Sequence, residues 1–132
     1  MDIAIVGATG NVGRKTIEVL EKKNISIENL YLLASSKSVG KKISYKKKEY
    51  EVSDLKTFDF SKVKISFFAA GGKISEMYAE NAAQKCFVID NSSKYRMNPD
   101  VPLVIPQVNS GALKDMKKNI VANPNCSTAQ LV

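Results

Sequence analysis

Three glycines are the residues of this sequence whose type and spacing point most directly to chemistry. Gly7, Gly10 and Gly13 directly follow the apolar run 3–6. Gly7 permits a tight turn, Gly10 lets backbone N–H groups approach a phosphate, and Gly13 lets a following helix pack against the strand. The N-terminus of that helix offers free N–H groups and a partial positive charge to a pyrophosphate. The spacing predicts dinucleotide binding, and a glycine turn that serves packing alone is the alternative.

A cysteine near the end of the chain is the second candidate for chemistry. Cys126 lies in the segment 123–128, between a predicted short strand and a predicted helix. A thiolate at a helix N-terminus is stabilised by free N–H groups and by the helix dipole, which lower the pKa of the thiol. An exposed thiol at the carboxyl end of a parallel strand, beside a dinucleotide, is arranged for covalent catalysis. Position alone leaves a buried cysteine at a helix cap as an equal alternative.

A parallel sheet is the element that brings these two segments to one edge. Continuous apolar runs without alternation are typical of strands buried on both faces. They predict strands at residues 3–6, 30–34, 63–70, 87–90 and 119–122, a short strand at 103–105 and an edge hairpin within 43–52. The order strand, helix, strand gives a right-handed βαβ unit. The predicted fold class is α/β, a Rossmann-like, mostly parallel sheet with helices on both faces.

Helices are predicted between the strands from side-chain spacing. The inner side of the first helix is predicted from residues that lie four, five and eight positions after Val12, namely Thr16, Ile17 and Leu20. A second helix is expected to begin with Ser75 as its N-cap and to end near Lys85, and a short one to lie within 111–118. Cys86, after the second helix, is predicted to be a buried structural thiol.

The loop after the second strand favours one of the two nicotinamide cofactors. An acidic residue there binds the 2′-hydroxyl of NAD and repels a 2′-phosphate. This loop has no carboxylate but has hydroxyls and one cation, at Ser35, Ser36, Lys37 and Ser38. It therefore favours NADP, and a polar loop without a ligand is the alternative. Gly71 and Gly72 mark a second place where the backbone can pass close to a ligand.

Length and composition limit the remaining function classes. The 132 residues suffice for one domain, and no apolar run is long enough to cross a membrane. The net charge of +7 raises nucleic acid as a partner, but the lysines cluster at 41–48 without a nucleic-acid motif, so a solvated hairpin is favoured. Two cysteines fit a reduced, cytoplasmic compartment. There is no histidine to act as a base, and no metal site is expected.

Four segments together resemble aspartate-semialdehyde dehydrogenase, and their order and spacing fit the whole chain. They are G-A-T-G-N-V-G from Gly7, L-A-S-S-K-S-V-G-K from Leu33, the block Asp90 to Asn109, and N-P-N-C-S-T from Asn123. The resemblance implies interconversion of aspartate 4-semialdehyde, phosphate and NADP⁺ with 4-aspartyl phosphate and NADPH. This reaction feeds lysine, threonine, methionine and diaminopimelate synthesis.

The resemblance also assigns roles to individual residues. Cys126 matches the nucleophile that displaces phosphate to form a thioester, and Arg96 matches the arginine that binds the substrate phosphate. Asn125 would help to position the substrate. The pyrophosphate-binding turn corresponds to Thr9, Gly10, Asn11 and Val12. Lys37 and Ser38 match the pair at the 2′-phosphate, while Gly71 and Gly72 would border the adenosine.

Two features depart from the family pattern. Lys37 stands where the family usually has arginine, and a lysine cannot stack on adenine, which weakens selectivity for NADP. The family also continues well beyond the length of this chain. We therefore expect residues 1–132 to be an N-terminal dinucleotide-binding domain, with the acid/base histidine and most of a homodimer interface in the absent part. This fragment is expected to bind cofactor without turnover.

Three other readings remain open at this point. N-acetyl-glutamyl-phosphate reductase shares the glycine turn and the cysteine, but usually has an aromatic residue after it, where this chain has Ser127. A non-catalytic NADP-sensing module would keep the glycine turn without needing Cys126 or Arg96. A nucleic-acid-binding domain would bind DNA with a steep dependence on salt.

Overall fold

A computed structural model describes residues 1–132 as a single sheet flanked by helices. In chain order the elements are β1 (Ile3–Val6), α1 (Asn11–Lys22), β2 (Leu30–Ala34), β3 (Lys42–Tyr45), β4 (Lys48–Asp54), β5 (Ile65–Phe68), α2 (Gly72–Ala83), β6 (Phe87–Asp90), α3 (Pro106–Asn109), β7 (Ile120–Ala122) and α4 (Cys126–Leu131). None of these helices has the length and apolar composition needed to cross a membrane.

The seven strands have the order β3-β4-β2-β1-β5-β6-β7. Every neighbouring pair is parallel except the edge hairpin of β3 and β4. The chain moves from β1 to β2 on one side and later to β5 on the other, so the strand order reverses beside β1. A ligand crevice forms at such a reversal, outside the carboxyl ends of the strands. The predicted Rossmann-like class is confirmed, and so is the edge hairpin.

One long helix covers each face of the sheet. On one face, Ile17 and Leu20 of α1 join a buried cluster with Ile5 and Leu32 of the central strands. On the other, α2 packs small residues, among them Ala79, against a second cluster. The small side chains let the α2 backbone lie close to the sheet. The predicted arrangement of helices on both faces is thereby confirmed.

The inner side of α1 differs from the predicted one. The buried residues are Gly13, Ile17 and Leu20, while Val12 is 52% exposed and Thr16 is half-buried. The helix presents position 13 to the glycine turn, and this close approach leaves no space for a Cβ there. Successive residues are rotated by about 100° around a helix, and Val12 is therefore carried to the outer side.

The second helix begins earlier than the sequence pattern indicates. Its N-cap is Gly71, with φ of +90°, and Ser75 lies inside the helix with no exposed surface. The prediction of Ser75 as an N-cap is wrong, because its hydroxyl bonds to a buried carboxyl group and not to the helix N-terminus. Cys86 is buried, as predicted, with its sulfur 3.4 Å from Ser66 Oγ.

Two short elements near the end of the chain also differ. The expected strand at 103–105 is reduced to a single bridge between Leu103 and Ala122, since proline removes N–H donors on both sides of it. The expected helix within 111–118 is a 3₁₀ turn at Ser110–Asp115 that follows the one-turn α3. The segment 103–115 therefore adds no full strand to the sheet.

Candidate active site

The glycine turn between β1 and α1 is shaped by two close backbone contacts. Gly7 has φ of +83°, and a Cβ there would lie 2.7 Å from the carbonyl oxygen of Ala69. A Cβ at Gly13 would lie 2.1 Å from the Gly7 carbonyl oxygen. At Gly10 the nearest atom would be 3.5 Å away, which is ordinary contact. Packing therefore explains Gly7 and Gly13, whereas at Gly10 it leaves space open beside the helix N-terminus.

The N-terminus of α1 has no internal partner for its first N–H groups. Gly10 is the N-cap, no side chain caps the helix, and its first turn holds no acidic residue. Arg14 adds a cation, with its Nε donating to the Thr9 carbonyl oxygen at 3.1 Å. Uncapped N–H groups, the helix dipole and a nearby cation form an environment that favours an anion. Asn11, the first residue of the helix, is exposed there.

A cleft of about 500 Å³ opens beside this turn, which we call the glycine-turn cleft. Of the residues predicted to bind cofactor, it brings together Gly7, Thr9, Gly10 and Ser35. The first turns of α2 and the end of β5 supply an apolar wall, formed by Ala69, Ala70, Ile74, Met77 and Tyr78. An apolar wall with a few polar groups and an open helix N-terminus suits a flat aromatic base joined to phosphate.

The other predicted cofactor residues lie at the margin of this cleft. Ser36, Lys37 and Ser38 form a 3₁₀ turn after β2, with Lys37 exposed. Gly71 and Gly72 follow the wall residue Ala70 but are not themselves part of the lining. The structure thus brings Ser35 into the cleft and leaves Lys37 on its outer side, where a long flexible side chain can reach inward.

Sequence reasoning missed a group of residues that enters the cleft from β4. Asp54 is the register partner of Ala34, the last residue of β2, and lines the cleft together with Leu55 and Lys56. The Asp54 carboxylate accepts the Lys56 backbone N–H at 2.9 Å. No signal in the sequence marked these residues, because only the pairing of β4 beside β2 brings the end of β4 to this cleft.

A second cleft of about 540 Å³, which we call the thiol cleft, contains Cys126. Cys126 is the first residue of α4, and its thiol is exposed. The alternative of a buried cysteine at a helix cap does not describe this residue. The same cleft is lined by Arg96, Asn125 and Val12. The two predicted substrate residues and the predicted nucleophile therefore share one cavity.

Arg96 connects the loops that follow β6 and β7. Its Nε donates to the Asn123 carbonyl oxygen at 2.9 Å, and one terminal nitrogen donates to the Asn91 carbonyl oxygen at 3.1 Å. The side chains of these asparagines meet as well, with Asn123 Nδ2 donating to Asn91 Oδ1 at 2.7 Å. A guanidinium has five N–H donors, so three remain for a ligand. The sequence missed Asn91 and Asn123 as lining residues, although both directly follow a strand.

Asn125 prepares the short helix that carries the thiol. Its side-chain oxygen accepts the Ser127 N–H at 2.8 Å, which caps α4. Its amide nitrogen has no partner within the chain and is free to donate to a ligand.

The second cysteine, Cys86, has a different environment. Burial raises the pKa of its thiol, and the hydrogen bond with Ser66 partly offsets this rise. Of the two thiols, only Cys126 is placed to react with a dissolved substrate.

The two clefts lie on either side of the N-terminus of α1. Gly10 lines the glycine-turn cleft, and Val12, two residues further on, lines the thiol cleft. A molecule that extends from one cleft to the other passes the open N–H groups of the helix. The glycine turn and the thiol are therefore neighbours at the carboxyl edge of the sheet, which defines the chain as a dinucleotide-binding α/β domain of the Rossmann type.

Comparison with known proteins identifies the family. Residues 2–116 match the family model described as "Semialdehyde dehydrogenase, NAD binding domain". The chain belongs to the semialdehyde dehydrogenase family, and the resemblance to aspartate-semialdehyde dehydrogenases is confirmed. It is 50% identical over 134 residues to the "Aspartate-semialdehyde dehydrogenase" of Legionella pneumophila, covering 100% of this chain and 39% of the relative.

Solved structures agree with this assignment. Aspartate semialdehyde dehydrogenase II of Vibrio cholerae, solved in complex with ASA, has a TM-score of 0.95 and 44% identity over 98% of this chain and 43% of that one. The Candida albicans enzyme solved with NADP has a TM-score of 0.71 and 28% identity, covering 100% of this chain and 45% of that one. The chain thus spans less than half the length of these relatives.

Proposed function

We propose that residues 1–132 are the N-terminal cofactor-binding domain of an NADP-dependent aspartate-semialdehyde dehydrogenase. The observation that carries the proposal is the exposed thiol of Cys126 in one cleft with Arg96 and beside the N-terminus of α1. The proposal also rests on the 50% identity to the Legionella pneumophila enzyme, whose length this chain spans to 39%.

The proposed reaction forms a covalent bond at Cys126. Its sulfur attacks the carboxyl carbon of 4-aspartyl phosphate, the bond from that carbon to the phosphate oxygen breaks, and phosphate leaves. The product of this step is a thioester on Cys126. Reduction and release of the thioester give aspartate 4-semialdehyde and the free thiol. The biosynthetic role would be to supply lysine, threonine, methionine and diaminopimelate in the cytoplasm.

The residues present fit NADP as the cofactor, which supplies the hydride for this reduction when bound. The uncapped N-terminus of α1 and the open space at Gly10 would hold its pyrophosphate. The apolar wall of the glycine-turn cleft would hold the adenosine. Lys37 and the serines around it would face the 2′-phosphate, because this loop carries a cation and hydroxyls. The Asp54 carboxylate in the same cleft is already bonded to the Lys56 backbone N–H. The Candida albicans enzyme solved with NADP supports the choice of cofactor.

Arg96 and Asn125 would hold the substrate against the thiol. Arg96 is fixed by two backbone carbonyl oxygens, and its remaining N–H donors suit a phosphate group. Asn125 has a free amide nitrogen, which would donate to a substrate oxygen. Because both residues line the cleft of Cys126, they would bring the acyl phosphate to the sulfur without rearrangement of the domain.

The decisive experiment uses the complete protein that contains this domain. Phosphate-dependent formation of NADPH from aspartate 4-semialdehyde is measured for the wild type and for Cys126→Ser. The variant is expected to lose at least about a thousandfold in kcat, as enzymes do when a nucleophile is removed. Cys86→Ser is the matched control and is expected to keep its activity, since Cys86 lies in the core. Undiminished activity of Cys126→Ser would remove the assignment.

A further inference from the structure

Asp90, the last residue of β6, is a buried carboxyl group that forms no salt bridge. It has no exposed surface and belongs to none of the ion pairs in the chain. A buried carboxyl group is costly unless hydrogen bonds compensate for the lost water. Asp90 contacts neither of the two clefts, so neither cofactor nor substrate binding explains it.

Three hydrogen bonds to Asp90 join α2 to the loop after β6. Ser75 of α2 donates its hydroxyl to Asp90 Oδ1 at 2.6 Å. Ser92 donates its hydroxyl to Asp90 Oδ2 at 2.7 Å and its backbone N–H to Asp90 Oδ1 at 3.2 Å. The Ser92 hydroxyl oxygen in turn accepts the Lys94 N–H at 3.2 Å. Both serines are buried. The carboxyl group therefore fixes the path of the backbone from residue 90 to residue 94.

This backbone path leads directly to the arginine of the thiol cleft. Tyr95 is buried in the core, where burial raises the pKa of its phenol, with the charges of Glu80 and Asp90 adding to the rise. Arg96 follows and turns toward the loop after β7 through its bonds to Asn91 and Asn123. In the loop 91–96, the buried residues Ser92 and Tyr95 thus hold the side that faces the core. Asn91 and Arg96 line the thiol cleft.

We propose that Asp90 is a positioning residue that holds the loop 91–96 so that Arg96 meets the phosphate of the substrate. The inference rests on the proposed function for the identity of that phosphate. Asp90 acts through Ser92 and Ser75 and touches no ligand. A guanidinium binds phosphate through directed N–H donors, so its position matters as much as its charge.

The test replaces Asp90 by its closest isostere in the complete protein. Asp90→Asn removes one acceptor oxygen and keeps the size of the side chain. We expect the KM for inorganic phosphate in the oxidative direction to rise about tenfold, because small displacements of a positioning group are costly. The KM for NADP is expected to stay within about twofold, since the asparagine keeps the Oδ1 that accepts the hydroxyl of Ser75 in α2, whose first turns line the glycine-turn cleft. Ser92→Ala removes both bonds of the Ser92 hydroxyl, the one to Asp90 Oδ2 and the one from the Lys94 N–H, and is expected to raise the phosphate KM in the same direction.

Asp100→Asn is the matched control. Asp100 lies in the same connection between β6 and β7, but its carboxylate pairs on the surface with Lys117 at 3.2 Å. The same isosteric change there is expected to leave both KM values unaltered. Binding of inorganic phosphate is measured by titration calorimetry in all variants, which gives a readout that does not depend on turnover.

The possible outcomes separate this inference from the proposed function. Unchanged phosphate KM and phosphate affinity in a folded Asp90→Asn protein would overturn the positioning role. An equal rise of the phosphate and NADP KM values would also overturn it, since that indicates general loosening. If Asp90→Asn does not fold, the same comparison is decided by Ser92→Ala. If the wild type lacks the reaction, the proposed function falls, and the phosphate affinities alone decide the role of Asp90.

Discussion

At the scale of single residues, the two cysteines differ in the surroundings of their thiols. Cys126 is exposed in the thiol cleft, whereas Cys86 is buried beside Ser66, with a raised thiol pKa. Thiolate is the reactive form, and burial removes both thiolate and access. From its position in the sequence, Cys126 could equally have been buried or exposed, because a helix cap does not reveal whether another element covers it.

Alkylation with iodoacetamide is therefore expected to label Cys126 much faster than Cys86. Under native conditions, peptide mass spectrometry should find the modified residue in the segment 123–128. Because the glycine turn lies next to the thiol cleft, NADP is expected to slow the labelling of Cys126. Labelling of both thiols at one slow rate, without an effect of NADP, would favour a sensor domain over an enzyme.

Two lysines near the carboxyl ends of β2 and β4, in or beside the glycine-turn cleft, carry the next prediction. Lys37 comes from the turn after β2, and Lys56 lines the cleft from the turn after β4, close to Asp54. Lys37→Ala and Lys56→Ala are each expected to raise the KM for NADP by about 3- to 30-fold, as loss of a partly exposed phosphate contact does. The KM for NAD should change little, because NAD has no 2′-phosphate.

Lys62→Ala serves as the control for loss of positive charge, since Lys62 lines a surface pocket near the start of β1. An equal rise for NADP and NAD in the Lys37 variant would contradict a contact with the 2′-phosphate. The sequence pointed to Lys37 but not to Lys56. Only the pairing of β4 with β2 brings the end of β4 to this site, and strand pairing was not readable from the apolar pattern.

At the scale of elements, we expect one glycine of the turn between β1 and α1 to serve packing and another to serve ligand binding. Gly13→Ala is expected to lower the free energy of unfolding by about 1–3 kcal/mol, because the new Cβ would overlap the Gly7 carbonyl oxygen. Gly10→Ala creates only an ordinary contact, so its stability should remain near that of the wild type. Its affinity for NADP is expected to fall, because the methyl group occupies the approach to the helix N-terminus.

Urea unfolding and NADP titration of the two variants test this separation. Gly111→Ala is the control, since no atom lies within 4 Å of a Cβ at that position. If Gly10→Ala binds NADP as the wild type does, the space beside that glycine is not the pyrophosphate site. If Gly13→Ala is as stable as Gly111→Ala, the helix can shift away from the turn.

The strands of the parallel sheet were readable from the sequence, and several helix limits were not. Buried strands such as Ile3–Val6 are marked by unbroken apolar runs, which need no knowledge of their neighbours. The start of α2 was placed at Ser75 from its capping preference, but the partner of Ser75 is Asp90, fifteen residues away. The capping preference of serine did not decide the position of Ser75, because its hydroxyl bonds to Asp90 of β6. A sequence pattern within one segment contains no information on such a contact between elements.

At the scale of the whole molecule, charge is distributed so that the lysine-rich hairpin lies away from both clefts. The turn of the hairpin meets the end of α1, where the Lys46 backbone N–H bonds to Glu21 and its side chain bonds to Asn24. The clefts lie at the opposite end of that helix. The hairpin lysines therefore add to the net charge of +7 without taking part in either cleft.

The stability of the molecule toward acid depends in part on one carboxylate between β4 and β5. Asp59 accepts bonds from Ser61 and from Lys85, which follows α2, and these bonds lower its pKa from 3.8 to about 2. A carboxylate with a lowered pKa in the folded state stabilises that state at pH values above its unfolded pKa. This stabilisation is lost as the pH falls from near 4 through 2, because the folded state then takes up the proton as well.

Asp59→Asn is accordingly expected to lower the urea midpoint at pH 7, and the difference from the wild type should shrink toward zero near pH 2. Asp115→Asn is the control, since Asp115 forms none of the ion pairs in the chain, and its difference should be small at every pH. A difference between Asp59→Asn and the wild type that stays constant from pH 7 to pH 2 would show that the Asp59 side chain acts by packing and not by its charge. Measurement in 0.5 M salt separates the two kinds of bond, because salt screens the pair with Lys85 more strongly than the bonds to Ser61.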